Sequence, residues 1–134
     1  MKPLSKFLVT LFVAIVIVYV VALWFGLFNT VWWLDIVMHI AGGVWVGGLF
    51  FVIFTGVVRH EAYTHPVEYL KVLVLVIAFA VFVGVLWEFF EFILTHITGV
   101  PLQGNVADTM KDLLMDIVGG AGAGMVLLRF MRRS

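Results

Sequence analysis

The chain has 134 residues, 64% of them hydrophobic and 12% charged, with no cysteine and a formal net charge of zero. Soluble domains carry about twice that share of charged residues, so water is not the main solvent, and the length leaves no room for a separate soluble domain. The balanced charge offers no basic face for nucleic acid. The missing cysteines exclude disulfides, thiolate metal sites and cysteine nucleophiles.

A bilayer core about 30 Å thick takes roughly 20 helical residues to cross, and four apolar runs meet that length. The first, Phe7 to Phe28, is uncharged and follows Lys2 and Lys6. It is long for a signal-peptide core and lacks a small-residue cleavage site, so it reads as a retained helix. The second, Val31 to Val58, is interrupted by Asp35 and His39. The third, Leu70 to Thr95, carries Glu88 and Glu91 near its end; the turn-rich stretch Thr98, Gly99, Pro101, Gly104, Asn105 separates it from a fourth, Asp108 to Arg129. The expected fold class is an all-α integral membrane protein, a compact four-helix transmembrane bundle with residues 1–134 as one domain.

Basic residues set the expected orientation, because cytoplasmic loops accumulate lysine and arginine. Lys2, Lys6, Arg59, Lys71, Arg129, Arg132 and Arg133 fall on one side, and only Lys111 on the other. Both termini are therefore expected inside, in a multi-pass protein of the cytoplasmic (plasma) membrane. Trp24, Trp32, Trp33 and Trp87 fall near the outer boundary, as interfacial aromatics do.

Six of the eight carboxylates converge on the outer ends of helices two, three and four. Asp35 and His39 are four apart, Glu88 and Glu91 three apart, and Asp108, Asp112 and Asp116 step down the fourth helix; such spacings share a helix face. His39, Glu88 and Asp116 are expected on the order of 10 Å below the outer helix ends, under a shallower layer of Asp35, Glu91 and Asp112. A charge at mid-bilayer costs about 2.5 to 3.5 kcal/mol on insertion scales, and clustered like charges cannot all stay ionised. A bound cation, protonation or a cationic substrate must neutralise them. Oxygen ligands with one imidazole suit Mg, Ca or Mn, and His39 admits Zn or Fe. The candidate metal ligands are His39, Glu88, Asp112, Asp116 and Asp108, with Glu91, Asp35 and Lys111 in catalytic roles.

Plainer readings exist for several of these residues. Asp108 can cap helix four, alone or with Asn105, and Glu88 and Glu91 can be protonated acids bonding between helices. The cytoplasmic His60, Glu61 and His65 do not form a zincin motif, which needs histidines four apart, because position 64 is Thr64. Gly42, Gly43, Gly47 and Gly48 in helix two, with Gly119, Gly120, Gly122 and Gly124 in helix four, point to close packing between those helices.

The pattern Asp35-x-x-x-His39, Glu88 with Glu91, and Asp108-Thr109-x-x-Asp112 leading to Asp116 and Gly119-Gly120 resembles the YjdF-type inner-membrane proteins and, more distantly, the VanZ-like superfamily. The resemblance covers about Trp33 to Gly124. Asp116 stands where VanZ-like proteins commonly have Asn. The resemblance implies a shared site and brings no settled chemistry.

Two functions follow as expectations. One is a metal-dependent enzyme acting on a lipid or lipid-linked head group, with membrane lipids as partners. The other is a non-enzymatic protein that binds or transports an ion or ligand, as carboxylate and histidine chains in membranes commonly do, with a homo-oligomer as a way to complete a path. A structural subunit docking a basic partner is a third. The only serines, Ser5 and Ser134, fall at the termini, which excludes an outward serine hydrolase, and all four arginines are on the cytoplasmic side.

Overall fold

Where an apolar chain meets lipid, every backbone amide must find its partner within the segment, and the helix is the simplest solution. The computed structural model describes residues 2–54 and 65–132. Four long helices account for nearly all of them: α1 (Lys2–Phe25), α2 (Leu34–Ile53), α3 (Pro66–Thr98) and α4 (Val106–Arg132). Among the described residues all four are long and apolar enough to cross a membrane. Residues 55–64 lie outside the description, and with them the last part of the second expected span, Arg59 and the His60 to Thr64 stretch; so do Arg133 and Ser134.

The helix ends differ from the sequence expectation for local reasons. α1 stops at Phe25 because Gly26 adopts φ 65°, and a short 3-10 turn, Leu27–Asn29, follows. α2 therefore begins at Leu34 rather than Val31. α3 starts earlier than Leu70: Pro66 fits the first helical position, where no amide partner is needed, behind an extended His65. It ends on Gly99 at φ 71°, whose amide returns to the Thr95 carbonyl, a left-handed stop that glycine accepts without strain. At the start of α4, the Asn105 side chain accepts hydrogen bonds from the amides of Ala107 and Asp108. Asn105 is thus the cap, and Asp108 is free for other contacts.

Contacts across the bundle give an alternating up-and-down topology. Gly43 and Gly47 of α2 meet Asp116 and Ala123 of α4 in parallel order, whereas Gly84 and Gly124 pair α3 with α4 in antiparallel order. The two chain ends thus share one end of the bundle. That end is filled by an apolar core of Phe50, Phe51, Val72, Val76 and Leu128. The described basic residues Lys6, Lys71 and Arg129 belong to this same end, and Lys111 to the opposite one.

Glycine allows the closest approach, between α2 and α4. A Cβ at Gly43 would stand 2.5 Å from the Asp116 carbonyl oxygen, one at Gly47 would stand 2.9 Å from the Ala123 Cβ, and one at Gly119 would meet the Ile40 carbonyl. α1 is held more loosely. The Trp45 indole donates to the Leu8 carbonyl at 2.9 Å, and its ring stacks on Phe12. No Cα of α1 lies within 8 Å of a Cα of α3 among the described residues. Most of the apolar side chains of α1 are exposed, as are many on α3; in a bilayer these are the lipid-facing surface.

Candidate functional site

The end of the bundle away from the termini holds the acids. In the first two turns of α2, Asp35 and His39 share the face turned toward α4, and the His39 ring is buried. Its Nε2 is 3.8 Å from Asp35 Oδ1, and its Nδ1 is 3.4 Å from Asp116 Oδ1. From α4, Lys111 Nζ lies 2.6 Å from Asp108 Oδ1, 3.3 Å from Asp35 Oδ2 and 3.4 Å from Asp112 Oδ1. Six of the eight expected site residues, Asp35, His39, Asp108, Lys111, Asp112 and Asp116, thus form one connected group.

Inside that group, one ligand atom each from Asp35, His39 and Asp112 lies within 4.8 Å of the others. Two oxygens on one Ca²⁺ at 2.3 to 2.6 Å are at most about 5 Å apart, so the three converge at a cation's scale. Asp112 and Asp116 are each about 95% buried. Neither Asp112 Oδ1, which the Lys111 ammonium approaches to 3.4 Å, nor Asp116 Oδ2, which no described cation approaches, has a hydrogen-bond partner. A buried carboxylate oxygen left so is costly unless something cationic or a donor reaches it. Gly84 makes the room for Asp116: a Cβ there would overlap its Oδ2.

The two glutamates separate. Glu88, expected in the deeper layer beside His39, is buried, but its Oε2 accepts from the Thr109 hydroxyl at 2.7 Å and lies 3.5 Å from Gln103 Nε2. Gln103 gets there because the Thr95 hydroxyl accepts the amides of both Leu102 and Gln103, folding the loop back over α3. Glu91 instead accepts from the Trp87 indole at 3.0 Å and borders the same cavity as Asp35, His39 and Asp116. That cavity, about 250 Å³, runs between α1 and the α2–α3 pair. A smaller one of about 90 Å³, lined by Asn29, Pro101 and Leu102, shares Tyr19, Phe28, Asp35 and Glu91 with it.

Spacing on single helices does not reveal Thr109, Gln103, Thr95, Trp87 or Tyr19, which bring donors and an orphaned hydroxyl to the acids. Thr109 stands in the Asp108-Thr109-x-x-Asp112 pattern and Trp87 among the boundary aromatics; for Gln103, Thr95 and Tyr19 the one sequence signal is polarity beside an apolar run. Chemically, Asp35, His39 and Asp112 could hold a cation, with the Asp116 carboxylate at the other nitrogen of the imidazole. Such backing fixes the ring and raises its basicity toward a metal.

No curated protein and no solved structure matches the chain. The sequence pattern of a membrane-protein family does, over residues 1–133. The chain, with its four apolar helices and polar cluster, belongs to the family described as Predicted membrane protein (DUF2238).

Proposed function

We propose that the protein binds a divalent cation through Asp35, His39 and Asp112 and uses it to act on the head group of a lipid or lipid-linked molecule. The observation that carries this reading is the convergence of one ligand atom each from those three residues to within 4.8 Å of one another, with His39 and Asp112 buried. Asp116 holds the His39 ring from its other nitrogen, a positioning role rather than the ligand role its spacing suggested. Lys111 compensates Asp108 and steadies both Asp35 and Asp112. A divalent ion would polarise an ester or phosphoryl oxygen or lower the pKa of water. Under this proposal Glu91, which lines the same cavity as Asp35 and His39, would take the proton. In this reading the site faces outward and both termini are cytoplasmic, following the basic residues. The resemblance of the Asp35, His39, Glu88, Glu91, Asp108, Asp112 and Asp116 pattern to YjdF-type proteins would imply a shared site.

The transport alternative needs a polar path through the other half of the bundle. Phe50, Phe51, Val72, Val76 and Leu128 close that half with apolar side chains, which favours binding and chemistry from one face.

Metal content of the purified protein tests the proposal. Wild type and Glu88→Gln should carry about one equivalent of Mg, Mn, Ca or Zn, and Asp112→Asn and His39→Gln should lose it while remaining monodisperse. Absence of stoichiometric metal from wild type, or equal content in all four proteins, would sink it.

A further inference from the structure

The larger cavity has a polar end and an apolar body. Its body is walled by Phe12, Ile15 and Val16 of α1, Val46 of α2, and Ala80 and Val83 of α3; of its polar groups, Asp35 and Glu91 stand at one end, His39 lies a turn further along α2, and Asp116 Oδ2 sits deeper, at the level of Gly84. The lining runs along α2 from Asp35 to Val46 and along α3 from Ala80 to Glu91. At 1.5 Å per residue each stretch covers about 16 Å. This is about half of a ~30 Å hydrocarbon core, the depth that one leaflet's chains fill. At about 250 Å³ the space exceeds the ~150 Å³ of an apolar cavity known to take up benzene.

Access from the bilayer is built in. α1 and α3 keep their backbones apart, and the ring contact between them, Tyr19 edge-on to Trp87 at 5.1 Å, lies at the polar end. The polar end has a definite charge character. Asp116 is about 95% buried with Oδ2 unpartnered, Tyr19 has a buried hydroxyl without a partner, and both line the cavity. Among the described residues no lysine or arginine lines it, and Lys111 is occupied with Asp108, Asp35 and Asp112. With a divalent cation neutralising Asp35 and Asp112, Glu91 and Asp116 would still face the cavity.

We propose that this slot binds the hydrocarbon chain of a bilayer amphiphile whose head is a positively charged amine, held at Glu91 beside the Tyr19 hydroxyl, with the Asp116 carboxylate deeper on the same wall. An anionic head group in the same place would meet like charge. The inference deepens the head-group chemistry above by naming the class of substrate, and rests on that reading for the reaction alone; binding of the chain needs no metal.

The test uses the purified full-length protein and a long-chain alkylamine bearing a mid-chain diazirine. Saturable photolabelling is expected on α1 and α2 beside the cavity, competed by unlabelled alkylamine and about tenfold less well by the alkyl sulfate of the same length. Gly42 lines the slot, and a Cβ there meets no atom within 4 Å. Gly42→Leu should therefore fill the slot without unfolding the protein and lower labelling about tenfold. Gly122 is equally open but lies outside the cavity, and Gly122→Leu should label as wild type. Labelling should survive chelation, so a failed metal reading and a failed chain reading give different results. Labelling that does not saturate, that is indifferent to Gly42→Leu, or that the alkyl sulfate competes equally overturns the proposal.

Discussion

Asp116 serves two neighbours at once: one carboxylate oxygen lies against the His39 ring, and the other is buried without a partner on the cavity wall. The space it occupies exists because residue 84 has no side chain. Gly84→Ala should push the carboxylate aside, because a side-chain tip yields more readily than backbone. The expected result is a 10- to 100-fold loss of cation affinity, the usual effect of disturbing a ligand's supporting group, with little change in thermal unfolding; a metal titration beside a melting curve reads both. The sequence placed Asp116, His39 and Asp35 near one another from helical spacing. It could not show that Glu88 turns to Thr109 and Gln103 while Glu91 faces the cavity. Three residues along a helix is about 300° of rotation, and which neighbour each glutamate meets depends on how α3 is rotated against α4.

At the scale of the helix pair, the glycines of α2 illustrate how direction decides the effect of a methyl group. Gly43 faces the Asp116 carbonyl and Gly42 faces open space in the slot. Gly43→Ala is expected to force α2 and α4 apart and destabilise the fold by about 1 to 3 kcal/mol, as overpacking does. Gly42→Ala should be neutral or stabilising by up to about 1 kcal/mol, from helix propensity alone. Unfolding midpoints of the two variants, measured in the same detergent, check the contrast. A stripe of small residues was legible in sequence, and so was close contact between these helices. Which glycines form the seam was not, since adjacent residues on a helix point about 100° apart. The ends of α1 and α3 were similarly blurred: hydropathy does not register the left-handed turn at Gly26 or the early start at Pro66.

Across the whole molecule the polarity is split lengthwise. One half contains six of the acids, His39 and Lys111; the other contains the aromatic and aliphatic core and, at its end, Lys6, Lys71 paired with Glu68, and Arg129. The fold class was readable from composition and run length, because four apolar stretches in so short a chain leave few alternatives. Orientation rests on charge distribution. A reporter fused to the C-terminal end of α4 should read the cytoplasmic side, and a signal from the opposite face would reverse the topology and turn the site inward.

The loose attachment of α1 divides labour between two parts of the chain. α1 contributes a wall of Phe12, Ile15, Val16 and Tyr19 to the slot but none of its carboxylates and no imidazole. Substitutions at Ile15 or Val16 would therefore retune the length or bulk of the guest that fits, while the charged group on the other three helices keeps its geometry. Selectivity and chemistry can drift separately in such a molecule, the first through a helix that mostly faces lipid, the second through three that are locked together.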